Sequence, residues 1–241
     1  MIKAVFFDLD GTLLPLDEDQ FLMCYFDLLC KKVAHLGYEK DELIKVIYAG
    51  TMKMFQNNGV KTNEFVFWMH FIEHFGVSAL NNKDVFDDFY LNEFKKVKEV
   101  CEENKLAREI VDFCKANVEY TVLSTNPIFP LDGTLTRMGF VDLKKEDFDF
   151  ITSYENSSFC KPNPMYFKTL LDKFNLKGEE VILFGNNTLE DGECSLACGI
   201  KCYLVGDYII NNPKTQHNFP VIGMEDVIET IKKEIEENKN A

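Results

Sequence analysis

Two aspartates separated by a single residue follow the first apolar segment of the chain. The segment reads KAVFFD and ends in Asp8, and Leu9 and Asp10 come directly after it. A short apolar run rich in aromatic residues predicts a buried strand that leads into a loop. Open α/β sheets bind ligands at the carboxyl ends of their strands, where paired carboxylates suit metal binding or proton transfer. Asp8 and Asp10 are therefore the first candidate site residues.

The pentapeptide LDGTL that contains Asp10 occurs a second time, around Asp132. In the second copy, the position two residues before the aspartate is Pro130, and Pro127 lies just upstream. Prolines at these positions argue against a central strand leading into the motif. Asp132 is instead expected to cap a helix that begins around Gly133. The second copy is interpreted as a coincidence of sequence.

Three further motifs follow the first one in order. YTVLSTN contains Thr125 and Asn126, FCKPNPMYF contains Lys161, and VILFGNNTLEDG contains Asn186 and Asn187. With DxDGTL, these segments resemble the four motifs of the haloacid dehalogenase-like (HAD) hydrolases, which are mostly aspartate-based phosphatases and phosphomutases. The resemblance covers the chain from end to end apart from one helical insertion.

The resemblance implies a catalytic role for each of the matching residues. Asp8 would attack phosphorus and form an aspartyl-phosphate, which water then hydrolyses. Asp10 would protonate the leaving oxygen and later deprotonate the attacking water. The phosphate would be bound by four residues: Leu9, Thr125, Asn126 and Lys161. An acid at position 10 favours phosphoryl transfer, because family members that remove halide from carbon lack it.

The resemblance also implies a Mg²⁺ ion. A carboxylate and a phosphate about 4 Å apart repel each other by on the order of 4 kcal/mol at an effective dielectric constant of 20, so positive charge must lie between them. The implied Mg²⁺ site comprises Asp8, the backbone carbonyl of Asp10 and either Asn186 or Asn187, with Asp191 close by. The family commonly has acidic residues where this chain has Asn186 and Asn187. Two hypotheses stay open: a working site of reduced Mg²⁺ affinity, or a degenerate site that binds phosphorylated ligands without turnover.

The pattern of strands and helices predicts an α/β fold with a doubly wound parallel sheet. Strand-like apolar runs occur at 3–8, 119–124, 148–152, 181–185 and 201–205. Helical patterns lie at 106–117, 163–174 and 189–198, and an amphipathic tail begins at Met224. Buried strands that alternate with helices form parallel sheets with helices on both faces. This is the Rossmannoid core that the HAD resemblance implies.

Residues 16–100 have a different character, because they contain no convincing strand. Four amphipathic helical patterns follow one another there, at 18–36, 40–57, 62–75 and 83–103. They predict an all-α cap at 16–100 inserted into a core of residues 1–15 and 101–241, with hinges near Pro15 and Lys105. The aromatic residues of the cap are interpreted as a bundle core rather than a ligand cage. The cap is expected to select the substrate, and its basic candidates are Lys53, Lys61, His70 and His74.

The composition of the chain limits the binding partners and the cellular compartment that we predict for the protein. The formal net charge of −14 argues against a nucleic-acid backbone or an anionic membrane surface as partner. No signal peptide or membrane span is expected, so we predict a cytoplasmic protein, a monomer or small homo-oligomer, with reduced cysteines. Cys194, Cys198 and Cys202 are interpreted as small buried hydrophobic residues, because no C-x2-C pair occurs among them.

Two rival functions are disfavoured. HFIEH, at His70–His74, matches a zinc-peptidase pattern that places two histidines one helical turn apart, but no third ligand is evident. Phospho-accepting receiver domains also use Asp, Thr and Lys, but they are about half as long and carry the aspartate on a middle strand. The sequence therefore predicts a Mg²⁺-dependent phosphatase acting on a small phosphorylated metabolite. The alternatives are a sugar-phosphate mutase and a catalytically weakened phosphate-ligand binder.

Overall fold

A six-stranded parallel sheet forms the centre of the computed structural model, which describes residues 1–239. The strands are β1 (Ala4–Phe7), β2 (Tyr120–Leu123), β3 (Phe150–Ile151), β4 (Val181–Gly185), β5 (Lys201–Val205) and β6 (Val221–Ile222). Their order across the sheet is β3-β2-β1-β4-β5-β6, and each pairing is parallel. The predicted α/β fold class is confirmed, and five of these strands lie within the predicted segments. Strand β6 was not predicted, because two residues are too few to show a periodic pattern.

Helices cover both faces of the sheet because the side chains of a strand alternate in direction. Val5 and Phe7 of β1 belong to one buried cluster, together with Ile110 and Ile231. Ala4 and Phe6, whose side chains point to the other face, belong to a second cluster. The helices that supply these partners are α5 (Leu106–Asn117), α7 (Met165–Phe174) and α9 (Val227–Lys239). A strand buried on both faces explains why KAVFFD shows no polar alternation.

Two core helices differ from the sequence prediction. Helix α6 (Leu131–Met138) contains the second LDGTL, and Asp132 lies inside its first turn instead of capping it. The cap is supplied from another part of the chain, because the Leu131 amide donates to the carboxylate of Glu155 (3.0 Å). The pattern at 189–198 is a π-helical turn, Thr188–Glu193, that continues into the short α8 (Cys194–Leu196).

Four α-helices lie between β1 and α5, as the sequence predicted. They are α1 (Glu18–Val33), α2 (Lys40–Phe55), α3 (Asn63–Phe75) and α4 (Lys83–Leu91). The predicted helix 83–103 breaks at Asn92 (φ −122°, ψ −85°), and a 3₁₀ segment, Glu93–Val100, follows. Trp68 and Phe71 are buried in the aromatic cluster of these helices, in agreement with a bundle core.

The helical segment is joined to the sheet by two connections that run side by side. Leu16 and Cys101 form an isolated antiparallel bridge, and the Glu102 amide donates to the Pro15 carbonyl (2.9 Å). Both connections therefore lie close to the predicted boundaries at 15 and 101. The division into a core and a cap domain stays a prediction. We use "cap" below for the helical segment 16–100.

The cysteine and histidine motifs do not form a metal centre in the described part of the chain. Among residues 1–239, no group of three or more His, Cys, Asp or Glu side chains is placed to hold a metal ion. His74 instead bonds the carboxylate of Glu42 (2.8 Å). Cys194 and Cys202 are buried, whereas Cys198 is half-buried. No helix within the same residues is both long and apolar enough to cross a bilayer.

Candidate active site

The residues that follow three of the strands lie together at one edge of the sheet. Phe7 of β1 lies level with Leu123 of β2 and Phe184 of β4. The Asp8 amide continues this register by donating to the Phe184 carbonyl (2.8 Å). From β1 the chain crosses to β2 and β3 on one side and returns to β4 on the other, so β1 and β4 flank a topological switch point. Asp8 therefore lies where open α/β sheets bind ligands.

A buried lysine connects the first and fourth motifs. Lys161 Nζ donates to Asp8 Oδ1 (2.9 Å) and to Asp191 Oδ1 (2.6 Å), although the two residues lie far from it in sequence. All three side chains are almost completely shielded from solvent. Burial opposes the charge on Lys161, but Asp191 and Asp8 outweigh it and hold the pKa of the ammonium well above its ordinary value. Lys161 therefore keeps a positive charge beside Asp8.

Asp191 positions this lysine. Its Oδ2 accepts hydrogen bonds from the backbone amides of Asn186 and Asn187 (3.0 Å each), while Oδ1 accepts from Lys161. The carboxylate can approach because position 185 is glycine, where an added Cβ would lie 2.4 Å from Asp191. Both carboxylate oxygens of Asp191 thus already have partners. Direct metal ligation by Asp191 stays a prediction, and its hydrogen bonds favour a role in holding Lys161.

Asp10 has an unexpected partner, Arg137 on α6. The Arg137 guanidinium donates to Asp10 Oδ2, and its side chain is fully buried with its centre 4.5 Å from the ring centroid of Phe129. Asp10 Oδ1 is also buried and has no hydrogen-bond partner among the residues that the structure describes. Sequence analysis missed Arg137, because the second LDGTL was set aside. The sequence could have indicated Arg137 by its position four residues after Gly133, because residues at this spacing lie on the same face of a helix. Both residues are buried in α6.

Thr125 and Asn126 follow β2 at the same edge of the sheet. The Thr125 carbonyl accepts from the hydroxyls of Thr152 (2.6 Å) and Tyr166 (2.9 Å), which hold this loop in place. The Asn126 amide donates to the Lys161 carbonyl (3.2 Å) and to the carboxylate of Glu190 (2.7 Å). Asn126 Oδ1 is buried without a partner among the described residues.

One cavity of about 210 Å³ collects most of these groups. The predicted site residues that line it are Asp8, Asp10, Thr125, Asn126, Lys161, Asn186 and Asp191. Leu9 is buried outside the cavity lining, and its carbonyl accepts from the amide of Leu14 (2.8 Å) within the loop. The cavity also contains Glu18 and Glu190, which the sequence did not indicate. None of the four basic cap candidates lines it.

Negative charge predominates in this cavity. Burial raises the pKa of Asp8 above its ordinary value, and the positive charge of Lys161 opposes this shift. Glu18, at the amino end of α1, is exposed as a residue, but desolvation of its carboxyl and then Glu190 and Asp10 raise its pKa to about 7. Burial raises the pKa of Glu190 in the same way. A site that suppresses the ionisation of three carboxyl groups favours a bound cation.

The oxygen atoms available at the site suit a hard divalent cation. Asp8 has its second carboxylate oxygen free of Lys161, and Asn186 lines the same cavity. The Asn186 amide nitrogen donates to the Tyr208 carbonyl (2.8 Å) and packs against Gly11, where an added Cβ would lie 2.0 Å from it. Gly11 has a positive φ of +72°, which also favours glycine. Carboxylate, carbonyl and amide oxygens are the ligands that Mg²⁺ accepts, so the residues present fit the implied ion. Few of these ligands carry a charge.

The fold and the site together define a class of protein: a Rossmannoid α/β protein with an acidic site between a parallel sheet and a helical insertion. A family model for haloacid dehalogenase-like hydrolases matches residues 5–205. The chain belongs to this family, which confirms the resemblance stated from the motifs. Comparison with curated proteins finds no match.

Solved structures of low sequence identity share the fold over almost the whole chain. A candidate β-phosphoglucomutase from Thermotoga maritima is 21% identical, with a TM-score of 0.57 over 96% of this chain and 99% of that one. A HAD phosphatase from Thermococcus onnurineus is 14% identical, with a TM-score of 0.59 over 95% and 98%. A 2-haloacid dehalogenase from Pseudomonas syringae pv. Tomato DC3000 is 15% identical, with a TM-score of 0.64 over 97% and 99%. These similarities establish the fold and leave the reaction open.

Proposed function

We propose that this chain is a Mg²⁺-dependent phosphatase that hydrolyses a small phosphorylated metabolite through an aspartyl-phosphate on Asp8. The observation that carries the proposal is the buried array in which Lys161 bridges Asp8 and Asp191 inside a cavity shared with Asp10 and Thr125. A halide-releasing reaction on carbon would not require a second acid at position 10.

In the first step, the free carboxylate oxygen of Asp8 attacks phosphorus. A P–O bond to Asp8 forms as the bond from phosphorus to the leaving oxygen breaks, and Asp10 gives a proton to that oxygen. Lys161 offsets the repulsion between Asp8 and the phosphate, and the Thr125 hydroxyl can donate to a phosphoryl oxygen. Mg²⁺ bound by Asp8, the Asp10 carbonyl and Asn186 would supply further positive charge to the phosphoryl group.

In the second step, water attacks phosphorus and Asp10 accepts a proton from it. The bond between phosphorus and Asp8 breaks, which releases inorganic phosphate and restores the free carboxylate. Arg137 occupies only Oδ2 of Asp10, so the buried and unpartnered Oδ1 is the atom left to exchange this proton. Arg137 therefore orients Asp10 without consuming its reactive oxygen.

Two other functions use the same cavity. A phosphomutase would pass the phosphoryl group from Asp8 to a substrate hydroxyl instead of water, and the fold similarity to a candidate β-phosphoglucomutase supports it as an alternative. A binding protein without turnover is favoured by a different observation: Asn186 and Asn187 replace charged ligands in the fourth motif.

The proposal is tested by phosphate release from a panel of metabolite phosphates during a Mg²⁺ titration, with Asp8→Asn as the matched variant. We expect turnover that requires Mg²⁺ and falls at least about a thousandfold in Asp8→Asn, because the amide cannot form the aspartyl-phosphate. Retained activity in the variant would disprove the role of Asp8. Tight binding of phosphate esters without release would select the binding protein, and isomerisation of a sugar phosphate primed by its bisphosphate would select the mutase.

A further inference from the structure

A second cavity, of about 160 Å³, lies between the cap helices and the loop that follows β2. We call it the cap cavity. Its walls are mainly apolar and aromatic, and they include Leu22, Ile47, Phe67, Trp68, Ile128 and Phe129. This composition differs from that of the site cavity, whose walls contain five acidic side chains.

The two cavities adjoin each other. Leu22, Ile128 and Phe129 line both of them, so these three side chains form a common wall. Leu22 comes from α1 of the cap, and the other two residues follow Thr125 and Asn126 in the loop after β2. A group attached to a phosphate at Asp8 would therefore lie beside side chains that also line the apolar cavity.

Four of the polar residues in the wall of the cap cavity have partners, whereas the Trp68 indole N–H is buried without a hydrogen-bond partner among the described residues. The Tyr25 and Tyr90 hydroxyls bond each other (2.9 Å). The Thr51 hydroxyl donates to a backbone carbonyl one turn earlier in its own helix (3.0 Å). Asp87, the charged residue in the wall, is paired with Lys83 (2.8 Å). A second phosphate or a polyhydroxylated sugar would find no free cation here and few free hydrogen-bonding groups.

The size of the cap cavity indicates what fits. An apolar cavity of about 150 Å³ lined by aliphatic and aromatic side chains excludes water and accepts a benzene ring. Empty apolar volume also destabilises a folded protein, so a ring that fills it gains contacts without displacing well-bound water. The aromatic walls add edge and face contacts that suit another ring.

We propose that the cap cavity binds a neutral aromatic ring on the leaving group of the substrate, so that this chain prefers arylalkyl phosphomonoesters to compact polar ones. Binding of the ring depends on the cap cavity alone. Its catalytic consequence rests on the proposed phosphatase function. Two separate measurements distinguish the failure of one from the failure of the other.

The first measurement uses Trp68, which is the only tryptophan of the chain and lines the cap cavity. 4-Iodobenzyl alcohol serves as the probe, because a bound iodine atom quenches a neighbouring indole. We expect saturable quenching of Trp68 emission in the wild-type protein. Thr51→Phe places a ring in the cavity and should weaken probe binding at least about tenfold, which corresponds to about 1.4 kcal/mol. Met52→Phe, at an exposed position on the same helix, should leave it unchanged.

The second measurement compares the kcat/KM of the wild-type protein for benzyl phosphate and ethyl phosphate. Both release primary alkoxides of similar basicity, so a difference between them reports ring binding rather than leaving-group reactivity. We expect a preference for benzyl phosphate of at least about tenfold, in the range that hydrophobic pockets provide. The preference should be lost in Thr51→Phe and retained in Met52→Phe.

The outcomes separate the two proposals. Saturable quenching without hydrolysis of any phosphate ester would support ring binding and overturn the phosphatase. Hydrolysis without quenching and without a preference for benzyl phosphate would overturn ring binding and leave the phosphatase standing. Quenching that stays linear in probe concentration is collisional and also overturns the inference, even if Thr51→Phe fails to fold.

Discussion

At the scale of single residues, the site depends on which carboxylates have partners. Asp191 has both oxygens occupied, whereas Asp8 keeps one free beside Lys161. The asparagine at position 186 therefore brings no charge to a position that lines the cavity beside Asp8. This accounts physically for a low expected Mg²⁺ affinity, since affinity for hard cations follows the number of charged ligands.

Restoring a carboxylate should strengthen Mg²⁺ binding only at one of the two asparagines. Both asparagines line the cavity with Asp8, but the hydrogen bond of the Asn186 side chain uses its nitrogen and leaves its oxygen available. We therefore expect Asn186→Asp to lower the Mg²⁺ concentration for half-maximal stabilisation or activity by about tenfold. Asn187→Asp is the matched control, because the Asn187 oxygen accepts from the amides of Leu189 and Glu190 (3.0 and 3.1 Å). Magnesium titration followed by thermal unfolding measures both variants. Equal changes in Mg²⁺ affinity in the two variants would mean that the net charge of the site, and not the position of the carboxylate, determines Mg²⁺ binding.

At the scale of secondary-structure elements, α6 contributes a buried cation to a site that the other motifs build. Arg137 reaches Asp10 from the buried face of this helix, and Glu155 caps the helix from the loop after β3. The second LDGTL is thus unrelated to the first in its role, but it forms the first part of the helix that carries Arg137. Burial of the arginine makes this contact sensitive to substitution, although the Asp10 side chain is partly exposed.

Removal of the arginine should leave the Asp10 carboxylate without its partner. We expect Arg137→Met to lower the free energy of unfolding by about 2 kcal/mol, because the partly buried Asp10 carboxylate then loses its cationic partner. Adding Asp10→Asn should recover much of this loss. Urea unfolding measures the effect, with Lys31→Met as the control, since its pair with Asp27 is exposed to solvent and should contribute little to stability. A double variant as unstable as Arg137→Met would show that packing of the arginine, not its charge, matters.

At the scale of the whole molecule, the acidic cavity lies between the cap and the sheet. Glu18 is contributed by the cap, and Asp10 and Glu190 come from loops at the edge of the sheet. Their mutual repulsion opposes the packing of the cap unless a proton or a cation is present. The same charges exclude a simple anion and favour one accompanied by a metal ion.

Stability should consequently fall as Glu18 ionises. Its pKa is about 7 in the folded protein and near 4.5 ordinarily, so the folded state binds this proton more tightly than the unfolded state. The contribution to stability is complete below pH 4.5 and is lost as the pH rises through 7. Because Glu18 is exposed as a residue, water screens part of the effect, and we expect on the order of 1 kcal/mol.

Unfolding of the metal-free protein by urea at pH 5 and pH 8 measures this dependence. Glu18→Gln cannot ionise and should lose less stability between the two values than the wild type. Glu73→Gln, at an exposed position of α3 that does not contribute to the pKa of Glu18, is the control and should match the wild type. A wild-type protein that loses no more stability than Glu18→Gln would contradict the assignment.

Much of the architecture was predictable because it depends on local patterns. Buried strands such as β1 and β4 are continuous apolar runs, and the four cap helices repeat apolar residues at helical spacing. Sequence patterns did not predict elements that are very short or whose conformation depends on residues distant in sequence. The two residues of β6 show no period, and α6 starts at Leu131 because Glu155 supplies its cap.

The sequence alone determined the fold class, the family and the order in which the site residues occur, because each is encoded in a short contiguous motif. Only the tertiary structure decided that Asp191 holds Lys161, that Arg137 pairs with Asp10, and that an apolar cavity adjoins the acidic one. These features join residues that are distant in sequence. Their energies depend on burial and on the identity of the facing atoms, which no local pattern contains.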